Sequence, residues 1–276
     1  MIEIVQGVHQ LRVDFQVTPE VKRYVYLYLI VGKGCYLIDS GVAGCEEAVA
    51  RALEELGRKG SDLRGIFLTH AHPDHIGGAA ALRRLSGCTV YASAGERPWI
   101  EDTHRQYRER PIPNFGTLVR EGVPVDRVLA HGDRVELEPG LTLEVIGTPG
   151  HSADGLSFFL TEKGLVFTGD AIPAPGDIPI YVDKHASLET LERLKALDAA
   201  QVCPAWDHVY TREEGISVMD RGRELIQRIQ QAVEDLEGET GDLDQLVADV
   251  CTRLGLDGLN QNPLFKRTVA CHRSKV

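Results

Sequence analysis

The chain has 276 residues, of which 43% are hydrophobic and 26% charged, and its net charge is −11. These values are typical of a globular protein with a sizeable core. The acidic balance disfavours a protein that binds nucleic acid or an anionic membrane surface, because such contacts depend on clustered Lys and Arg. It leaves room for a small anionic ligand held by one or two arginines.

The six cysteines are spread along the chain and form no C-x-x-C pair. This distribution predicts reduced thiols and a cytoplasmic protein. The N-terminus has no basic start followed by an apolar run, so no signal peptide is expected. The apolar run YVYLYLIVG is too short to span a bilayer and is predicted to form a buried strand.

The first part of the chain, residues 1–45, is predicted to form strands, with a turn at Gly32-Lys33-Gly34. The segment EEAVARALEELG has apolar residues at helical spacing and ends in Gly57, a typical helix cap. LRGIFLTH then predicts a short buried strand that stops at a histidine run. HIGGAAALRRLSG predicts a helix and TVYAS another strand.

Residues 95–127 are rich in Pro and Arg and have weak periodicity. This pattern predicts a long ordered loop with a helical piece, and such loops often serve as lids or binding loops. Four of its polar residues are predicted to form a solvated charged face, with contact to a substrate as the alternative; they are His104, Arg105, Arg108 and Arg110.

A second block of strands follows, with turns predicted at Pro139-Gly140 and Lys163-Gly164. SLETLERLKAL is then helical, with Ser187 as the expected N-cap, and QVCPAW is a short strand. From Thr211 the chain is predicted to be helical to its end. The repeated order of strands and helix predicts an α/β protein, a four-layer αββα sandwich over residues 1–210 with a C-terminal helical extension over 211–276.

The stretch FLTHAHPDHIGG places His70, His72, Asp74 and His75 directly after a predicted strand. Imidazole nitrogen and carboxylate oxygen suit zinc and iron. The first two histidines are spaced to face one metal site. Asp74 and His75 are placed to face a neighbouring metal site. The alternative is a His-rich surface turn.

Further candidate ligands also follow predicted strands. They are His151 in TPGHSADG, Asp170 in VFTGDAI and His208 in CPAWDHVY. A single tetrahedral metal site needs only three or four ligands. Seven candidates at strand ends therefore predict two metals side by side.

The series H-x-H-x-D-H, G-H-S, T-G-D and a final His resembles the metallo-β-lactamase fold superfamily of metallohydrolases, and most of all its glyoxalase II-type and lactonase-type branches. The resemblance implies that His70, His72 and His151 bind one metal. It implies that Asp74, His75 and His208 bind a second metal, with Asp170 as the bridge and Asp39 in LIDSG as a support. The last motif departs from the family pattern, because PAWDH replaces a tighter Gly-His, and His185 is the fallback ligand.

The resemblance implies a hydrolase that cleaves a thioester, lactone or similar small ester by a metal-bridged hydroxide, which Asp74 and Asp170 orient. Two Zn²⁺ are expected, with iron or manganese as alternatives, and the partner is a small-molecule substrate. The other readings are a mononuclear iron persulfide dioxygenase, a nuclease of the same fold, which the acidic charge disfavours, and a non-catalytic binding module.

Two features stay open from the sequence. Tyr181 and Lys184 follow Asp170 by a short loop, where they either contact substrate or are ordinary loop residues. RELIQRIQQAVEDL has an apolar stripe at helical spacing, which is typical of a core helix or of a homodimer seam.

Overall fold

The computed structural model describes residues 1–17, 21–173, 176–238 and 241–273. Its first sheet has seven strands, which are hydrogen-bonded in chain order. They are β1 (Ile2–Val5), β2 (Val8–Gln16), β3 (Lys22–Val31), β4 (Cys35–Ile38), β5 (Leu63–Phe67), β6 (Thr89–Ser93) and β7 (Arg127–Leu129). The pairs from β1 to β4 are antiparallel, and those from β4 to β7 are parallel.

The second sheet has six strands in the order β13-β12-β11-β10-β9-β8. They are β8 (Arg134–Glu138), β9 (Leu141–Gly147), β10 (Leu156–Leu160), β11 (Leu165–Gly169), β12 (Gln201–Pro204) and β13 (Tyr210–Thr211). Only β11 and β12 pair in parallel. The two predicted turns are confirmed, since Gly140 and Gly164 join neighbouring strands with positive φ values of 80° and 65°.

The helices lie outside the two sheets. They are α1 (Glu46–Glu55), α2 (Pro73–Ile76), α3 (Ala79–Ser86), α4 (Arg97–Glu101), α5 (Thr103–Glu109), α6 (Phe115–Leu118), α7 (Lys184–Lys195), α8 (Arg212–Leu236), α9 (Leu243–Leu254) and α10 (Pro263–His272). No described helix is both long enough and apolar enough to cross a membrane.

Alternation along the strands creates the four layers. In β3, Leu27 and Leu29 face a core shared with α1 and α3, whereas Tyr28 and Ile30 face the opposite sheet. Residues of β9, β10 and β11 complete that inner core. On its outer side the second sheet packs against α7 and the C-terminal helices. The predicted αββα sandwich with C-terminal helices is thus confirmed, and central strands such as β4 and β11 are buried on both faces.

Two local predictions differ from the structure. The helix predicted to start at Ser187 begins at Lys184, because the Asp183 side chain accepts hydrogen bonds from the backbone N–H groups of His185 and Ala186. The helix after the histidine run is divided into α2 and α3 at Gly77-Gly78. A Cβ on Gly77 would lie 2.1 Å from the Leu118 carbonyl oxygen, so this glycine permits a close backbone approach.

The C-terminal helices begin at Arg212, and their apolar residues belong to the same core as α7 and the outer face of the second sheet. The apolar stripe of α8 therefore packs inside this chain: Ile226 and Ile229 are fully buried. The division into a core of 1–210 and an extension of 211–276 stays a prediction. Residues 239, 240 and 274–276 of that extension lie outside the described residues.

Candidate metal centre

The candidate ligands meet at one edge of the sandwich. His70 and His72 follow β5, and His151 follows β9. Asp170 comes directly after β11, where Gly169 adopts a positive φ of 52°. A Cβ on Gly169 would lie 2.5 Å from Thr69 Oγ1, so glycine lets the two sheets approach closely here. Carboxyl ends of strands from both sheets thus bring the side chains together.

The first cluster consists of His70, His72, His151 and Asp170, whose ligand atoms lie within 4.8 Å of one another. His151 Nε2 lies 2.8 Å from His72 Nδ1 and 3.5 Å from Asp170 Oδ2. His70 Nε2 lies 4.0 Å from the same carboxylate oxygen. Three imidazoles and a carboxylate form a donor set suited to zinc or iron.

The second cluster consists of Asp74, His75 and Asp170. His75 Nε2 lies 3.2 Å from Asp170 Oδ1 and 3.6 Å from Asp74 Oδ2. Asp170 therefore presents one oxygen to each cluster, Oδ2 to the first and Oδ1 to the second. This is the arrangement expected of a carboxylate between two cations.

Hydrogen bonds behind the cluster orient three of the imidazoles. His75 Nδ1 lies 2.8 Å from Asp39 Oδ2, and His151 Nδ1 lies 2.8 Å from the carbonyl oxygen of Ile180. His70 Nδ1 lies 3.0 Å from Thr69 Oγ1, whose hydroxyl is directed at Asp39. Because each Nδ1–H donates outward, each Nε2 is directed inward, toward the position that a metal would occupy.

The pKa values of three histidines support the metal-binding form. Burial lowers the pKa of His70 and His72 well below the usual range, and neighbouring cationic groups lower it further. Burial also lowers the pKa of His151. These imidazoles are therefore neutral at pH 7, which is the protonation state that binds a metal.

The fourth histidine behaves differently. Burial lowers the pKa of His75, but the carboxylates of Asp170, Asp39 and Asp74 outweigh it and raise that pKa well above the usual range. In turn, burial opposes ionisation of Asp170, yet His75 and the other histidines lower its pKa overall. This group of carboxylates has a surplus of negative charge, which a metal cation would neutralise.

Two buried atoms test whether a metal fits. His70 Nε2 and His75 Nε2 are buried without a well-aligned hydrogen bond, although His75 Nε2 lies 3.2 Å from Asp170 Oδ1. A buried polar atom without a partner is costly unless another group satisfies it. Each of these nitrogens belongs to a different cluster, so the described residues fit one metal in each.

His208 is the one predicted ligand that the structure does not bring to the cluster. Its side chain is 65% exposed, and its Nδ1 bonds Asp207 at 2.7 Å. Trp206 lies nearer instead: its indole N–H donates to Asp170 Oδ1 at 2.8 Å. The extra residues of PAWDH, compared with a tighter Gly-His, carry the histidine past the site. The fallback His185 is also exposed, in the first turn of α7.

A cavity of about 330 Å³ opens beside the clusters. His72, Asp74 and Asp170 lie at its base, and most of its wall is apolar. That wall comes from β2, the 95–127 segment, the loop after β11 and the start of α10; its apolar residues include Phe15, Val17, Ile112, Pro113, Ile172, Ile178, Ile180 and Leu264. The C-terminal helices thus supply part of the pocket.

The segment 95–127 contains three short helices and joins this pocket. Its Glu96 carboxylate accepts hydrogen bonds from the backbone N–H groups of Ala71 and Asp154, both at 3.0 Å, which fixes the segment beside the histidine loop. Arg110 does not belong to a solvated face as predicted: it is 6% exposed and lines the cavity. The other three residues of that predicted face, His104, Arg105 and Arg108, are exposed.

Tyr181 and Lys184 contact the C-terminal helices and do not line the cavity. The Tyr181 hydroxyl lies 2.8 Å from His272 Nε2, and Lys184 Nζ lies 3.2 Å from the carbonyl oxygen of His272. Both side chains therefore pack against the C-terminal helices, and Lys184 is not the loop residue that the sequence left open, because it begins α7.

Trp206 was not predicted as a site residue, and Arg110 was predicted to lie on a solvated face. Trp206 had a usable signal, because it follows a strand that ends at the same edge as the ligands. Arg110 had none, since the fold of an irregular Pro-rich segment decides which of its arginines is buried.

The fold and the clustered ligands together define a metallohydrolase. A family model of the metallo-beta-lactamase superfamily matches residues 21–206, and the chain belongs to that superfamily. Among solved structures, it resembles a metallo-beta-lactamase family protein from Thermus thermophilus, with a TM-score of 0.73 at 22% identity, over 98% of this chain and 93% of the other. That likeness shows the fold.

Curated relatives are similar over part of their length. A hydroxyacylglutathione hydrolase from Cereibacter sphaeroides is 35% identical over 154 residues, which is 54% of this chain and 50% of the relative. A beta-lactamase-like protein 2 homolog from Caenorhabditis elegans is 27% identical over 251 residues, 83% of this chain and 78% of the relative. The match to the first relative spans about half of that protein.

Proposed function

We propose that the protein is a metal-dependent hydrolase of a thioester, lactone or similar small ester, with two divalent metals, zinc fitting best. The observation that carries the proposal is the position of Asp170, which presents one oxygen to each of two ligand clusters at the base of an apolar cavity. The relatives described as hydroxyacylglutathione hydrolases support a thioester among these substrates.

The ligands of the first metal would be His70, His72, His151 and Asp170. The second would be held by Asp74, His75 and Asp170, a smaller set because His208 lies elsewhere. When bound, such metals lower the pKa of a water molecule toward neutrality and polarise a carbonyl oxygen.

The protein's own groups complete the chemistry. Asp74 is 19% exposed at its side chain, lines the cavity and belongs to the second cluster, so its carboxylate is placed to orient a water and to accept its proton. Burial raises the pKa of Asp74, with Asp170 adding to the effect and His75 opposing it. The apolar wall excludes bulk water and receives the nonpolar part of the substrate.

A mononuclear iron persulfide dioxygenase is the second candidate. The observation that favours it is the ligand count, because the second cluster has three protein donors against four in the first. An incomplete second site is compatible with a single bound iron.

The experiment combines metal analysis with substrate screening. Protein purified with zinc, iron and manganese available is analysed for metal content, and then assayed against an S-acyl thioester, a lactone, a phosphodiester and a β-lactam. We expect two metals per chain and turnover of the thioester or the lactone. Oxygen uptake with glutathione persulfide and one bound iron would establish the dioxygenase instead, and turnover of the phosphodiester alone would establish a nuclease.

A further inference from the structure

Arg110 is a buried cation in the wall of the cavity. It follows α5, its side chain lines the cavity together with His72 and Asp74, and the residue is 6% exposed. Its backbone N–H donates to the Gln106 carbonyl at 2.7 Å. Within residues 1–17, 21–173, 176–238 and 241–273, its guanidinium makes no hydrogen bond and no ion pair.

A guanidinium has five N–H donors, and burying it without an acceptor is unfavourable. Burial lowers the pKa of Arg110 to about 10, so the group is still charged at neutral pH. Glu96, whose charge also acts on Arg110, makes no ion pair with it in the described residues and accepts from the N–H groups of Ala71 and Asp154 instead. Such a cation in a cavity wall is suited to an anionic group of a ligand.

The other charges at the cavity are already engaged. Arg23 bonds Asp177 through both of its terminal nitrogens and stacks over Trp206 at 4.3 Å from the ring centroid. Asp74 and Asp170 belong to the metal clusters. Bound metals would add positive charge next to Arg110, which makes an anion there still more favourable.

We propose that Arg110 binds a carboxylate of the substrate, so that the substrate is an apolar acyl compound bearing a carboxylate away from the scissile bond. The inference rests on the proposed hydrolase function. A carboxylate matches the single charge and the planar fork of one guanidinium, whereas a phosphate monoester would bring close to two charges into a mostly apolar pocket. The carboxylate belongs either to the acyl group or to the leaving thiol.

Three thioesters distinguish these two sources. Hexanoyl-N-acetylcysteamine is neutral, adipoyl-N-acetylcysteamine has the carboxylate on the acyl group, and S-hexanoyl-3-mercaptopropionate has it on the thiol. The metal-loaded wild type is compared with Arg110→Met and Arg110→Lys, and Arg108→Met is the matched control because Arg108 is exposed. Melting temperature and metal content are measured for every variant.

We expect the wild type to prefer one of the carboxylate substrates by about 10-fold in kcat/KM, the scale of one charge-assisted hydrogen bond. Arg110→Met should remove that preference through KM, so that the ratio of kcat/KM between the anionic and the neutral thioester falls to about 1, while Arg110→Lys keeps part of the preference, since Lys retains the charge without the fork. Arg108→Met should behave as wild type. The proposal would be overturned if the wild type hydrolysed the neutral and the anionic thioesters equally well. It would also be overturned if Arg110→Met lowered kcat to the same extent for all three thioesters.

A binding measurement separates this inference from the proposed function. Hexanoate is titrated calorimetrically into the metal-loaded proteins, with hexanamide as the neutral comparison. We expect Arg110→Met to weaken hexanoate binding by about 10-fold and to leave hexanamide unchanged. If no thioester is hydrolysed but this difference is found, the hydrolase assignment fails and the carboxylate site stands; if hexanoate binds both proteins equally, the carboxylate site fails whatever the enzyme hydrolyses. If Arg110→Met does not fold, Arg110→Gln, which also removes the charge but keeps a polar side chain, provides the same comparison.

Discussion

Asp39 holds His75 in place: Oδ2 of the carboxylate lies 2.8 Å from Nδ1 of the imidazole, and both side chains are buried. Asp39 itself adopts a positive φ of 58° at the end of β4. Its other oxygen accepts the Thr69 backbone N–H at 2.8 Å. The contact fixes the ring so that Nε2 is directed toward Asp170, and it supports the cluster that has fewer ligand residues.

Replacing Asp39 by Asn tests this support. Asn tolerates the positive φ and keeps one oxygen acceptor, so the change removes the charge and one of the two acceptors. We expect affinity for the second metal to fall by about 10- to 100-fold, as for other outer ligand supports. Competition with a chromogenic chelator measures it. Asp14→Asn, at an exposed site, is the control, and equal affinity in the two variants would contradict the role of Asp39.

His208 and His75 should differ sharply in their effect on metal content. His208→Ala is expected to leave the number of bound metals unchanged, because the side chain is 65% exposed and bonded to Asp207. His75→Ala should lose the second metal, because it removes one of three donors. Elemental analysis after dialysis checks both. A metal lost from His208→Ala would show that the loop after β12 rearranges on binding.

Asp170→Asn should impair both sites at once. The substitution keeps the shape but removes the charge that faces both clusters, and Trp206 can still donate to the remaining carbonyl oxygen. We expect both metals to bind more weakly and kcat to fall by at least about 100-fold, the upper end of losses seen even for outer supports. Wild-type kcat at matched metal loading would reject the bridging role, and Arg108→Ala serves as the neutral comparison.

The C-terminal helices should loosen in acid because of His272. Its Nδ1 lies 2.8 Å from Gln230 Oε1 and its Nε2 2.8 Å from the Tyr181 hydroxyl, an arrangement that suits a neutral ring. Burial, with Lys184 and His185, lowers the pKa from 6.5 to about 3. Below pH 6.5 the unfolded chain therefore binds a proton that the folded chain does not, so stability from this group is full above 6.5 and is lost as the pH falls toward 3.

At pH 5 we expect His272 to lower the free energy of unfolding by about 2 kcal/mol, because the loss is about 1.4 kcal/mol for each pH unit below the unfolded pKa. Urea unfolding at pH 7.5 and pH 5 measures it. His272→Gln removes the titrating group. Its free energy of unfolding should therefore fall by about 2 kcal/mol less than that of the wild type between pH 7.5 and pH 5. If the variant and the wild type lose equal stability on acidification, His272 is not responsible.

The sequence by itself determined the layers and most of the metal centre. Strand and helix periodicities decide which faces are apolar, and apolar faces must be buried, so the αββα order follows from local patterns. The ligands His70, His72, Asp74 and His75 lie within six positions after one strand, where local geometry already brings them together. His151 and Asp170 also follow strands, and strand ends of a sandwich meet at one edge.

The tertiary structure alone decided the rest. His208 lies two residues beyond Trp206, and only the path of the loop after β12 showed that the indole, not the imidazole, reaches Asp170. Arg110 and Leu264 come from segments far apart in the chain, yet both line one cavity. Such positions depend on the long-range packing of irregular segments, which have no periodicity from which they could be predicted. Ligands at strand ends are different, because the sheets fix where the strands end.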